Sequence, residues 1–397
     1  MSRDNKIDSY YKVLIMKKSA IIVSLFDNYS YPVRTRFIES YLINSGYSVN
    51  IVAGDYDHRN KRPYHAERRG LSLVHVLPYK KNMSLSRLIS HWGFSRKVLK
   101  IIKCENPDLI YICTPPNSLF GIARKSKLIN QNALIVIDVI DMWPESLPLS
   151  AGIKFILNPA LELWKMSRDR NIAYADRVIH ECDLFNDYLN KRIRSVPSIT
   201  IYLSKPDIEC KRVYCNEDIN NKLSFLYLGS LNNIFDSELT SKLLNELARF
   251  KKVELHIIGD GESKERFLSL LNNVTVYDHG IVYDQKEKEN IFCQCQFALN
   301  IMKTMVFVGL TMKSIDYFAA GLPIVNNISG DTKDIVEKNE CGININSVTE
   351  SLITDILHYS NDDIRRMGNN AYNFYRERIA EREIYRQLDS FLSLNDE

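Results

Sequence analysis

The chain has 397 residues, of which 45% are hydrophobic and 25% charged, with a formal net charge of +4; this excludes a largely disordered chain and supplies enough apolar side chains for two α/β domains, each with its own core. The charge is unevenly distributed, since Arg59 to Lys103 holds twelve Lys or Arg and a single acid, Glu67. The eight cysteines are scattered, and the one close pair, Cys293 and Cys295, is spaced for neither a zinc knuckle nor a redox dithiol, so they read as core residues in a reducing cytosol.

The apolar stretch Val13 to Phe26 is broken by Lys17 and Lys18 and lacks a small-residue cleavage site, so no secretory signal is expected. No other run approaches the ~18 apolar residues of a membrane span. The fold is expected to start near Met16, with residues 1–15 an extension. Ser19 to Phe26 reads as a buried strand. Phe37, Ile38, Tyr41 and Leu42 mark a helix, and Ser48 to Ala53 a second strand, giving a β-α-β opening. The first turn, Asp27 to Pro32, has no glycine triplet and so no pyrophosphate cradle. Leu71 to Pro78 can form another strand. Leu85 to Lys103 follows as a helix with apolar residues at 85, 88, 89 and 92 beside Arg87, Arg96, Lys97, Lys100 and Lys103. It is either a domain helix with a charged outer face or a surface for anionic lipid headgroups. No nucleic-acid recognition motif accompanies the charge.

Pro107 to Pro116 gives a buried strand ending in a rigid loop, and Ala133 to Ile137 the next strand. Immediately after it comes the block Asp138-Val139-Ile140-Asp141-Met142-Trp143-Pro144-Glu145-Ser146. Ligands bind beyond the C-terminal ends of strands in open α/β sheets, so these carboxylates and the Trp are well placed for sugar chemistry. Asp138 could equally cap the next helix, and Trp143 fill the core. Pro159 to Ala175 is helical in pattern, and Asp176 to His180 is a short strand whose histidine is an active-site group or a polar strand end. Residues 202–215, without clear periodicity, read as an interdomain linker.

Leu223 to Gly229, Val253 to Gly261 and Val274 to Gly280 repeat the strand-glycine pattern with helices between them, which means a second parallel sheet covered on both faces. The stretch from Gly309 to Val325 makes sense as loop, helix, turn and strand. Thr311 or Ser314 can cap the helix, Gly321 ends it, and Pro323 forbids its continuation. Lys313 adds a full charge to the free N–H groups of the first turn, an anion site, and Asp316 one turn on can accept two hydrogen bonds from a vicinal diol. Phosphate, cation and diol acceptor together describe a nucleotide diphosphate and its ribose; on a plain surface helix the same two residues would simply be solvated. Residues 364–392 close the chain with a strongly helical tail.

In this order, the Thr114-Pro115-Pro116 strand end, the Asp138 to Ser146 block, the Gly229 turn, and a Lys and a carboxylate ahead of Ala319-Ala320-Gly321-Leu322-Pro323-Ile324-Val325 resemble the retaining nucleotide-sugar glycosyltransferases of family 4, in their bacterial surface-polysaccharide branch. The resemblance covers about residues 19–392. It implies an α/β fold called GT-B, two doubly wound Rossmann-like domains facing across a cleft. The acceptor domain would span 16–203, with a C-terminal helix over 375–397 packing back on it, and the sugar-donor domain 216–370. By the resemblance Lys313 and Thr311 face the diphosphate, Asp316 the ribose, the Gly229-Ser230 turn the phosphates, and Ile281 the base. The family's basic pair after the first glycine is replaced by Asn232 and Asn233, leaving Lys303 and Lys313 as the nearest cations. Arg34, Arg36 and Trp143 would contact the acceptor, and Asp141, ahead of Asp138 and Glu145, would orient the acceptor hydroxyl or take its proton. One position departs from the pattern: the acid expected eight residues before Asp316 is Val308, and no acid occurs from Asn290 to Ile315.

The expected reaction moves a hexose or modified hexose from a nucleotide diphosphate sugar, with uridine the expected base, to a hydroxyl of a lipid-linked glycan in O-antigen or capsule assembly. No metal, other cofactor or nucleic-acid partner is expected. Residues 80–103 would hold the protein to an anionic membrane, on the cytoplasmic face. Two alternatives are a nucleotide-sugar 2-epimerase of similar fold and a non-catalytic nucleotide-sugar-binding protein, the latter favoured by Val308.

Overall fold

The computed structural model describes residues 18–27, 34–82, 84–147, 149, 151–193, 196–205 and 221–394. The expected N-terminal extension, most of the first turn after Asp27 and most of the expected linker lie outside the described residues.

The front domain runs through β1 (Ser19–Ser24), α1 (Arg34–Asn44), β2 (Ser48–Gly54), a ribbon of β3 (Tyr56–Asp57) and β4 (Arg62–Pro63), β5 (Leu71–Val74), α2 (Leu85–Glu105), β6 (Leu109–Thr114), α3 (Phe120–Ile129), β7 (Leu134–Val139), α4 (Ala151–Ile172), β8 (Arg177–His180), α5 (Asp183–Asn190) and β9 (Ser198–Thr200). Its seven strands are all parallel in the order β5-β2-β1-β6-β7-β8-β9. The interior strands are apolar on both faces, as a sheet covered by helices on each side requires, and β6 is buried along its whole length.

The rear domain runs through β10 (Lys222–Leu228), α6 (Ser237–Leu247), β11 (Lys252–Ile258), α7 (Lys264–Ser269), β12 (Val274–Asp278), α8 (Gln285–Phe292), β13 (Phe297–Asn300), α9 (Met312–Ala319), β14 (Ile324–Asn326), α10 (Asp331–Asn339), β15 (Gly342–Asn344) and α11 (Glu350–His358). Its six parallel strands are ordered β12-β11-β10-β13-β14-β15. In each sheet the strand order reverses beside the first strand, between β1 and β6 and between β10 and β13, and the crevice at such a reversal is where α/β proteins bind ligands.

The chain closes with α12 (Asn361–Arg378) and α13 (Glu381–Leu392). Ile384, Leu388 and Leu392 of α13 enter the front-domain core with Ile38, Tyr41 and Leu42, and Tyr41 Oη donates to Asp389 at 2.9 Å. The tail thus straps the two halves together. A second seam lies between α10 and α5: Asp331 accepts from the Asp183 and Leu184 amides at 2.5 and 2.8 Å and from Tyr202 Oη at 3.0 Å. Beside it Phe307 stacks on Phe185 at 5.8 Å. Gly309 sits in this seam, and the reason it is glycine is space: a Cβ there would lie 2.3 Å from Asp331 Oδ2 and 2.8 Å from Cys182 Cβ. The loop carrying Val308 is therefore packed against the front domain.

Helix α4 begins at Ala151, eight residues earlier than its sequence pattern suggests, with Pro159 inside it. The first turns are exposed, so the carbonyl that proline leaves without a partner can bond to water.

Candidate functional site

The front wall of the cleft is made by the C-terminal ends of four neighbouring strands. Phe26 and Asp27 follow β1, Pro115 follows β6, Asp141 and Trp143 follow β7, and Glu181 follows β8; these residues line a cleft of about 370 Å³. Met312, the first residue of α9, reaches in from the rear domain to line the same cleft. A space of that size is within the range of small-molecule sites.

Asp141 is fixed from two sides. Trp143 Nε1 donates to its Oδ2 at 2.8 Å and Ser146 Oγ to its Oδ1 at 2.5 Å. Burial raises its pKa, and these two hydrogen bonds, the Met142 amide and the charge of Arg87 oppose that rise. The block's spacing explains the geometry: the chain turns back on itself between 141 and 146, so the carboxylate receives both donors from its own loop. Trp143 stacks on His91 at 6.0 Å and carries the Arg87 guanidinium at 4.7 Å from its ring centre. Arg87 also lies 5.6 Å from the Phe26 and Tyr79 rings, an aromatic enclosure that stabilises a cation through the ring quadrupoles. Burial lowers the pKa of His58 to about 4 and of His91 to about 3, so both are neutral beside Arg87.

Several expected site residues are engaged elsewhere. Asp138 has no solvent exposure. It receives Arg34 Nε at 2.6 Å, Arg34 Nη2 at 3.1 Å and Tyr111 Oη at 2.6 Å, so it is a structural anion and not a group for an acceptor proton. Arg34 lines the cleft as well, and it also donates to the Ile201 and Tyr202 carbonyls at 2.8 and 3.0 Å, so most of its donors are engaged within its own domain. Arg36 lies 3.4 Å from both Glu39 and Asp27, so its charge is shared between two carboxylates of its own domain. Glu145 is held by Arg168 through both oxygens at 2.6 and 3.1 Å, again a structural pair. His180 is buried at the end of β8 and burial lowers its pKa to about 3, the behaviour of a neutral strand end.

On the rear wall α9 begins as its sequence predicts. Thr311 is the N-cap, its Oγ1 accepting from the Ser314 amide at 3.3 Å while donating to Asn300 Oδ1 at 3.1 Å. The Lys313 ammonium lies 4.8 Å from the Tyr227 ring centre. Among the described residues no carboxylate pairs with it, and burial lowers its pKa to about 7. Tyr227 in turn donates to the Ser230 carbonyl at 2.9 Å, and the Leu228 amide donates to Tyr317 Oη of α9 at 2.8 Å. Helix α9 thus lies beside the strand end that leads into the Gly229-Ser230 turn, tied to it through Tyr227 and Tyr317. Gly229 and Gly259 approach so closely that a Cβ on Gly259 would lie 2.0 Å from the Gly229 carbonyl oxygen. Lys303 and Ile281 are exposed in the rear domain, and neither lines this cleft.

Asp316 is not free. Lys205, from the last described residues of the front domain before residue 221, forms an ion pair with it. Sequence reading also missed Glu181, whose position directly after β8 was the available signal. Its carboxyl makes no hydrogen bond among the described residues, and burial pushes its pKa up to about 8, against the charge of Arg34 and with that of Asp141. Arg87 was missed for a different reason, since its helix spacing suggested an outward cation. Among the described residues no group of three or more His, Cys, Asp or Glu side chains is arranged to hold a metal ion.

Residues 222–362, essentially the rear domain, match the family described as Glycosyl transferases group 1. No curated protein matches the whole sequence closely enough to be informative. Among solved structures the chain is similar to sucrose-phosphate synthase from Thermosynechococcus elongatus, with TM-score 0.65 and 13% identity over 95% of this chain and 98% of that one. It is also similar to HepE from Anabaena in complex with UDP, with TM-score 0.63 and 14% identity over 95% and 99%. The lipopolysaccharide outer core galactosyltransferase WaaB gives TM-score 0.60 and 16% identity over 95% and 99%. The fold is therefore GT-B, and the group 1 domain in its rear half makes the chain a glycosyltransferase.

Proposed function

We propose that this enzyme is a retaining transferase of family 4 type that moves a hexose from a UDP-sugar to a hydroxyl of a lipid-linked glycan, in assembly of a bacterial surface polysaccharide. The observation that carries the proposal is the meeting of two walls: Met312, at the start of the helix that bears Lys313, lines the same cleft as Asp141 and Trp143. A UDP-sugar with its diphosphate on α9 would then present its anomeric carbon to Asp141. HepE in complex with UDP-glucose, similar to this chain with TM-score 0.59, supports uridine as the base. WaaB, whose name places it in lipopolysaccharide synthesis, supports a surface glycan.

In this reading the bond between the anomeric carbon and the diphosphate oxygen breaks while a bond to the acceptor oxygen forms on the same face. Negative charge grows on the departing UDP, and Lys313 with the free N–H groups of α9 stabilises that charge more in the transition state than in the bound substrate. Asp141 orients the acceptor hydroxyl and accepts its proton, and burial makes its carboxylate a better base than an exposed one. Asp316 exchanges Lys205 for the ribose hydroxyls. No metal is used. The basic segment 80–103 keeps the protein at the cytoplasmic membrane surface where the acceptor lies.

The test is incubation with a panel of UDP-hexoses and a lipid-linked acceptor, with the product's anomeric configuration read by NMR. Retention is expected, and Asp141→Asn should slow transfer by about 10²–10⁴-fold while leaving UDP affinity unchanged. An inverted product, or inversion at C2 of the sugar without acceptor, would refute the proposal; the latter would establish the epimerase reading.

A further inference from the structure

The first turns of helix α2 carry their large apolar side chains outward. Leu85, Leu88, Ile89 and Trp92 form one stripe at helical spacing, and all four are exposed, Leu85 at 77%. The side chains those turns bury are polar, Arg87, Ser90 and His91, whereas the rest of the helix buries Phe94, Val98 and Ile102 in the ordinary way. The start of α4 also leaves large apolar side chains uncovered: Ile153, Phe155, Ile156 and Leu157 are exposed, Phe155 at 84% and Ile156 at 76%. Ten of the twenty-one exposed large hydrophobic side chains among the described residues lie on these two helices. Single exposed apolar residues are ordinary, whereas such a concentration marks an interaction surface.

The two segments flank one place. His91 of α2 stacks on Trp143, and Leu161 and Trp164 of α4 pack on the cluster of Trp143, Leu147 and Leu149. Trp143 lines the cleft that holds Asp141, so the apolar surface frames the front wall of the active cleft.

Charge selects the partner. No acid occurs from Leu85 to Cys104 or from Ala151 to Leu161. Lys80, Lys81, Lys100 and Lys103 are exposed around the stripe, and Arg96 lies 4.5 Å over the exposed Trp92 ring. An apolar face rimmed by cations, with an interfacial Trp and no acids, complements an anionic bilayer. Pairing with a second copy of itself would instead bring like charges together.

We infer that the first turns of α4, together with the α2 stripe, insert into an anionic membrane and seat the mouth of the acceptor cleft at the headgroup level. The inference rests on the membrane-bound reading above and extends it to an element outside residues 80–103. The experiment is co-sedimentation of the full-length protein with phosphatidylcholine vesicles, with and without about a third phosphatidylglycerol. Wild type should partition only to the anionic vesicles. The double variant F155E/I156E should lose at least about tenfold in partitioning, because two apolar side chains that enter the bilayer become charged. Its UDP-induced thermal shift should be unchanged, which shows that it folds. If the variant partitions like wild type while R96E/K97E does not, the role of α4 is refuted and the membrane reading stands. If wild type binds neither vesicle, both fall. If light scattering shows a dimer that F155E/I156E separates, the surface is a self-association face and the inference is overturned.

Discussion

On the front wall, Arg34 with Asp138 and Arg168 with Glu145 neutralise one another inside the protein; on the rear wall, Lys313 meets no carboxylate among the described residues and rests on the Tyr227 ring. Both walls stand at the ends of parallel strands and both hold cations, yet they use them differently. A buried ion pair holds strands and loops in position and has little left to offer a ligand. A partly buried cation without a carboxylate partner is costly until an anion arrives, so it is the better marker of a site that binds charge. The difference also explains why Asp141 stands apart from its neighbours: its partners are the neutral donors of Trp143 and Ser146, so it keeps its basicity.

The largest test of this contrast is Arg34→Met, which strands Asp138 without a counter-charge and should cost about 3–5 kcal/mol of stability. Trp92, Trp143 and Trp164 are the three tryptophans of the chain and all lie in the front domain, so their fluorescence in urea reads that loss directly. An unchanged unfolding curve would mean the pair is not structural. Next comes the pH dependence of UDP binding. Free Lys313 loses its proton through about pH 7, and a bound diphosphate raises its pKa. Affinity should therefore be greatest below pH 7 and fall as pH rises, by up to about tenfold per unit. Calorimetry should show proton uptake on binding at pH 8, and Lys313→Met should abolish both the uptake and the slope. The smallest expected effect is at Asp316. Lys205→Met removes its competing partner and should tighten UDP binding by no more than about fivefold, the scale of a partly exposed ion pair. Weaker binding in that variant would mean that Lys205 itself contacts the nucleotide.

Much of the fold was legible because its signals are local. Apolar runs four to seven residues long, glycines at strand ends, and the cap and stop residues around α9 each act within a few positions. Lys313 and the Gly229 turn belong to that class. The errors share another cause. Asp138 and Glu145 sit in the same block as Asp141, and composition alone gives no reason to separate three carboxylates within eight residues. Their partners, Arg34 and Arg168, are 104 and 23 residues away. Helix α2 could not be decided in the same way: its apolar stripe was visible, but the side it faces depends on what packs against it.

The sequence by itself determined the two parallel sheets, their order of elements and the capped start of α9, because strand burial, helix capping and backbone geometry follow from residues close in the chain. Only the tertiary structure decided which charges are neutralised, which carboxylate stays available and which helix faces are left uncovered. Electrostatic pairing and burial depend on distance in space, and neighbours a hundred residues apart in sequence leave no local trace of meeting.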